Sequence, residues 1–79
     1  MLTAEQLRAA RALLRLEQAD LADRSAVSVP TIKRFEAMDG PIQARTDTVM
    51  KIRRALEEAG VQFIPENGGG SGVRLAKRD

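Results

Sequence analysis

The chain has neither cysteine nor histidine, and these two absences exclude more chemistry than any motif supplies. Without cysteine there is no disulfide and no thiolate nucleophile. Without histidine there is no imidazole base, and with both missing the nitrogen and sulfur ligands of transition-metal sites are gone as well. Most enzyme classes fall on these grounds, so no catalytic residue, metal or cofactor is expected. Aromatic residues make up only 3% of the chain, as Phe35 and Phe63, so any core must be aliphatic. No apolar run approaches the roughly 18 residues of a membrane span. Met1 to Arg15 carries charges throughout, unlike the apolar stretch of a secretory signal. These features predict a cytoplasmic protein with no membrane partner.

What remains is a chain of 79 residues, 43% hydrophobic and 30% charged, the balance of one globular domain. The formal net charge of +2 says little, but its distribution is uneven. Residues 28–54 carry Lys33, Arg34, Arg45, Lys51, Arg53 and Arg54 against Glu36, Asp39 and Asp47, a net of 6 − 3 = +3. The flanking thirds are neutral or slightly acidic. A basic middle third suits phosphate binding, but on charge alone a solvated face is the favoured reading.

Thr3 followed three residues later by Gln6 predicts a capping box, and the Ala-, Leu- and Arg-rich run to Leu14 predicts a helix. Leu7, Ala10 and Leu14 mark its inner face, with Leu13 flanking them. A short second helix is expected over Gln18 to Arg24, anchored by Leu21 with Ala19 or Ala22 beside it. Ser25-Ala26-Val27 forms a tight connection, and Ser28 caps a third helix whose early Pro30 costs no intrahelical bond. Ile32 and Phe35 face inward, which leaves Thr31, Lys33 and Arg34 outside. Asp39-Gly40-Pro41 ends that element with turn chemistry. A fourth helix, capped by Thr46 or Asp47, turns Val49, Ile52, Leu56 and Ala59 inward and stops at Gly60. Beyond it, Val61–Ile64 and Val73–Ala76 read as two strands around a turn-rich octet, Pro65 to Gly72. The octet lacks the Gly-Lys-Ser/Thr ending and following helix of a phosphate-binding loop, so it is read as a hairpin loop.

Four helices within 60 residues, the second short and joined tightly to the third, form the pattern of a DNA-reading helix-turn-helix. In the segment 18–36, Gln18, Leu21, Ala22, Val27, Ser28, Thr31, Ile32 and Glu36 stand at the spacing of the lambda-repressor-like, Xre-type family, which the chain resembles over residues 3–60. Two positions depart from it: Arg15 and Ala26 stand where members often place glycine. The resemblance implies a mainly α fold, a compact four-helix helix-turn-helix domain over residues 1–60. A C-terminal β-hairpin over residues 61–79 would serve as a dimerisation element.

The resemblance also implies roles. Ser28, Val29, Pro30, Thr31 and Arg34 fall at reading positions, where Arg34 suits guanine and Val29 or Pro30 a thymine methyl. Gln18 and Lys33 are expected on phosphate, and Arg45, in the loop before the fourth helix, joins them. Lys51, Arg53 and Arg54 read as a solvated helix face. Arg11 and Glu36 are implied as a partly buried structural ion pair. The partner is double-stranded DNA with a palindromic operator, since one module reads too few base pairs and a symmetric dimer doubles them. Val61, Phe63, Ile64, Val73 and Leu75 are the expected dimer contacts, because a lone hairpin is marginal in water. The function implied is a nucleoid-associated transcriptional regulator, most simply a repressor. Two other readings stay open: the antitoxin of a toxin–antitoxin pair, and a protein-interaction adaptor that has lost DNA binding.

Overall fold

Thr3 opens the chain's first helix by exchanging hydrogen bonds with Gln6. The Gln6 N–H donates to Thr3 Oγ1 at 3.0 Å and the Thr3 N–H donates to Gln6 Oε1 at 2.9 Å, which satisfies two donors at the helix start. A computed structural model describes residues 1–77; the last two positions of the 61–79 extension lie outside the described residues. The elements are α1 (Ala4–Leu14), α2 (Gln18–Ser25), α3 (Val29–Glu36), α4 (Thr46–Ala59), β1 (Val61–Ile64) and β2 (Gly72–Leu75). The fold is mainly α, four helices followed by an antiparallel hairpin.

Arg15 ends α1 and Ala26 ends α2, and both are left-handed, with φ of 57° and 60°. Each turn therefore carries a Cβ where glycine is unstrained. Ser25 extends α2 one residue beyond the sequence expectation. Its buried hydroxyl donates to Leu21 O at 2.7 Å and accepts the Val27 N–H at 3.2 Å. That bond fixes the tight passage into α3.

The core is aliphatic apart from two rings, Phe35 and Phe63. Leu2, Leu7, Leu21, Ile32, Phe35, Ile52 and Leu56 are almost wholly removed from solvent, each contributing about 1.5–3 kcal/mol of hydrophobic free energy. Ala22 packs against this core whereas Ala19 is exposed. In α4, Ala55 is buried and Ala59 only half-buried, because the face that meets α2 turns position 55 inward. Arg45, not Thr46 or Asp47, is the N-cap of α4, and its side chain makes no capping bond.

Leu2 and Ile42 join the core through a contact between distant segments. Ile42 N–H donates to Leu2 O at 3.1 Å and Ala4 N–H to Gly40 O at 2.9 Å, around a bridge between Thr3 and Pro41. The loop between α3 and α4 is thereby anchored to the start of α1.

Gly60, at φ 121°, turns the chain from α4 straight into β1. Val61 pairs with Leu75, Gln62 with Arg74, Phe63 with Val73 and Ile64 with Gly72. β2 starts at Gly72 rather than Val73, and Ala76 lies beyond its end, although its N–H still donates to Gly60 O at 2.8 Å. In an antiparallel ladder hydrogen-bonded and non-bonded pairs alternate, so the main-chain groups of Val73 and Leu75 point to the outer edge. Val61 and Phe63 are buried against the helices of their own chain, Ile64 and Val73 are half-buried, and Leu75 remains 57% exposed. The hairpin thus folds back on its own helices, β1 against α4 and α1 and β2 against α1. Its apolar side is largely covered, which removes Val61 and Phe63 as surface for a second chain.

Candidate nucleic-acid interface

Ser28 caps α3 from outside the helix. Its Oγ accepts the Thr31 N–H at 3.4 Å and donates to Thr31 Oγ1 at 3.0 Å, leaving the Thr31 hydroxyl proton free to point outward. At about 100° per residue, Ile32, Phe35 and Glu36 face the core. Pro30 and Arg34 then occupy the opposite pole, with Thr31 on one flank and Lys33 on the other. Pro30, Lys33 and Arg34 are exposed, while Val29 and Thr31 are half-buried.

The Thr31 flank opens into a cleft of about 350 Å³ between α3, the turn before it, and the start of α4. Its polar lining is Thr31, Arg34, Gln43, Arg45, Thr48 and Lys51, with Val27 and Phe35 beneath, and no carboxylate is among the lining residues. The Arg34 guanidinium lies 5.5 Å from the Phe35 ring centroid, a cation–π distance that limits its freedom. Arg45 reaches Asp47 at 3.1 Å, but both ends are exposed, at 83% and 61%. A pair this open is weakly held. The Arg45 guanidinium holds the Asp47 carboxyl below its ordinary range.

Arg34 and Arg45 therefore share one cleft with Thr31. Lys33 stands on the other flank of α3. Lys51, exposed as expected, also lines the cleft. Spacing held the signal for it, because Thr48 and Lys51 are three apart, one helical turn, and share the side of α4 that lines the cleft. Gln43 carries no such signal, since only the anchoring of its loop to α1 places it there. Arg53 is turned away, 3.4 Å from Glu57 and 5.4 Å from the Phe63 ring centroid.

Behind α3 lies the network that orients it. Arg11 Nε donates to Glu36 Oε2 at 2.8 Å and Nη2 donates to Oε1 at 2.9 Å, while Arg11 Nη1 donates to Leu16 O at 3.0 Å. Gln18 Nε2 donates to the same Glu36 Oε1 at 3.1 Å. The Gln18 amide thus spends one of its two N–H donors inside the protein, where it helps position α3. The exposed acids Glu17 and Asp20 stand beside it. Burial alone would raise the Glu36 pKa, but the Arg11 and Gln18 hydrogen bonds and the Arg11 charge prevail and hold it below the ordinary 4.5. Arg8 adds a further tie from α1, donating to Glu36 O and Met38 O at the end of α3.

No helix among the described residues is long and apolar enough to cross a membrane. No family model and no curated protein matches the chain.

Proposed function

We propose that the chain is a sequence-specific DNA-binding transcriptional regulator of the lambda-repressor-like, Xre-type kind, a dimeric repressor that reads the major groove with α3. The observation that carries this reading is the basic cleft beside α3, where Arg34, Arg45 and Lys51 converge with no carboxylate in the lining. Exposed cations on a rigid helix and the adjoining loop are what a duplex backbone attracts. Arg34 and Pro30 project from the pole of α3 toward base edges. Thr31 offers a hydroxyl donor beside them, and Arg45 and Lys51 meet phosphate across the cleft. Lys33 meets phosphate on the opposite flank, and Val29 supports the helix start. Cytoplasmic, nucleoid-associated location follows from this role.

The second copy is part of the proposal. With Val61 and Phe63 committed to their own core, the contact rests on the outer edge of β2 and on Leu75, flanked by Val73 and Ile64. A twofold axis at Leu75 sets Leu75 against its counterpart and Arg74 opposite Ala76, whereas an axis at Arg74 opposes like charges. Sedimentation tests it: Leu75→Lys is expected to shift the dimer to monomer without loss of helicity, and a monomeric native chain would end the idea.

One observation favours a second reading, the protein-interaction adaptor. The exposed face of α2 and its N-cap carries Glu17, Asp20 and Asp23 against Arg24 alone, which suits a basic protein surface better than a phosphate ridge. Electrophoretic mobility shift with genomic fragments separates the two. The regulator retards a subset of fragments and loses affinity steeply with added salt; the adaptor retards none.

A further inference from the structure

We propose that the Asn67–Gly68 step is a site of spontaneous covalent modification, deamidation through a succinimide, and that the fold blocks the corresponding rearrangement at Asp39–Gly40. Asn67 is the chain's sole asparagine and lies in the exposed connection between β1 and β2. Among the described residues its side chain makes no hydrogen bond, and nothing lies within 4 Å of where a Cβ would stand on Gly68 or Gly69. Gly68 has a φ of +97°, and glycine's missing side chain leaves its nitrogen open to approach.

The reaction needs only water. The deprotonated main-chain nitrogen of Gly68 attacks Asn67 Cγ and forms a bond to it. The Cγ–Nδ2 bond breaks, and the side-chain nitrogen leaves as ammonia after taking up a proton. Water then opens the five-membered ring at either carbonyl, giving aspartate or isoaspartate. The sum is one water consumed and one ammonia released, and the formal charge falls from +2 to 2 − 1 = +1.

Asp39–Gly40 is the internal contrast. Gly40 is equally open, with nothing within 4 Å of its Cβ position and a φ of +70°. Sterics do not distinguish the two steps; the nucleophile does. The Gly40 N–H donates to both Glu5 carboxylate oxygens, at 3.1 and 3.3 Å, and a negative charge held against it opposes the deprotonation that attack requires. The Gly40 carbonyl is also fixed, accepting the Ala4 N–H at 2.9 Å.

The neck of the Asn67 loop is closed from inside. Gln6 Nε2 donates to Ile64 O at 3.3 Å and to Gly72 O at 2.9 Å, so the added backbone methylene of isoaspartate is absorbed in the loop and the strand register survives.

The test is to hold the full-length chain in mildly alkaline buffer at physiological temperature and map its peptides by mass spectrometry, with methyltransferase labelling of isoaspartate. A synthetic peptide spanning residues 61–75 serves as the unprotected reference. An exposed loop opens at almost no free-energy cost, so Asn67 in the folded chain is expected to react within about threefold of the peptide. Asn67→Gln is expected to remove the signal. Glu5→Ala, its helicity verified by circular dichroism, is expected to raise isoaspartate at position 39 above the unsubstituted chain. Protection of Asn67 by about tenfold or more relative to the peptide overturns the first claim. Equal isoaspartate at position 39 with and without Glu5 overturns the second.

Discussion

Glu36 receives both arms of the Arg11 guanidinium, at 2.8 and 2.9 Å, at the point where α1, the start of α2 and the end of α3 meet. Arg11 also holds Leu16 O, and Gln18 completes the carboxylate's partners. The orientation of α3 thus rests on one charge pair, with Glu36 only 8% exposed and Arg11 25%. Arg11→Ala leaves that carboxylate desolvated with one amide for company, and the expected loss is about 3 kcal/mol in urea denaturation. The double substitution Arg11→Met with Glu36→Leu is expected to recover most of it, because apolar groups of similar volume need no partner.

The same pair sets a pH dependence. The folded-state pKa of Glu36 is depressed below 4.5, so the unfolded chain binds the proton first as the solution is acidified. The stability contributed by the pair is fully present above the unfolded value and is lost as pH falls through the folded one. Glu5, lowered by main-chain N–H groups including that of Gly40, acts in the same direction. Glu36→Gln is expected to flatten the fall of stability below 4.5, measured as denaturation midpoints across acidic buffers.

Gln6 makes the closing of the hairpin depend on α1. One buried amide completes the capping box through Oε1 and bridges Ile64 O and Gly72 O through Nε2. Gln6→Ala is expected to cost about 1–2 kcal/mol and to speed hydrogen exchange at Gln62 and Arg74 more than in α2. Gln6→Glu should cost more, since a carboxylate presents only acceptors to two carbonyl oxygens.

Arg15 and Ala26 offer a gain. Both are left-handed, a region that costs a residue with a Cβ roughly 1 kcal/mol more than glycine. Arg15→Gly and Ala26→Gly are each expected to raise stability by about 0.5 kcal/mol, the strain relief being partly offset by the freer unfolded chain. Thermal midpoints check the sign.

How far the sequence could be read depended on how local each cause was. The Thr3–Gln6 cap, the helix start at Ser28 and the stop at Gly60 are written within a few residues, and the structure places them there. Ala55 over Ala59 and Ala22 over Ala19 are decided by which neighbour packs against a helix, and periodicity alone leaves both members of each pair acceptable. Leu2, Ile42 and Gln6 owe their burial to contacts spanning dozens of positions, with no local signature. In the candidate interface, Arg34, Arg45 and Lys51 were legible as exposed cations, but Gln43 was not. The Gln18 bond to Glu36 had no local signature, because the carboxylate is eighteen residues away.

The central claim is that the cleft flanking α3 reads DNA, and binding of selected genomic fragments at graded salt, by the native chain and by Arg34→Ala and Lys51→Ala, tests it most directly. Arg34→Ala should lose about 1–3 kcal/mol on the selected sequence and relax preference at one base pair. Lys51→Ala should weaken all sequences alike and lower the salt slope by about one unit. No salt-dependent binding to any fragment, or binding that neither substitution alters, would contradict the account.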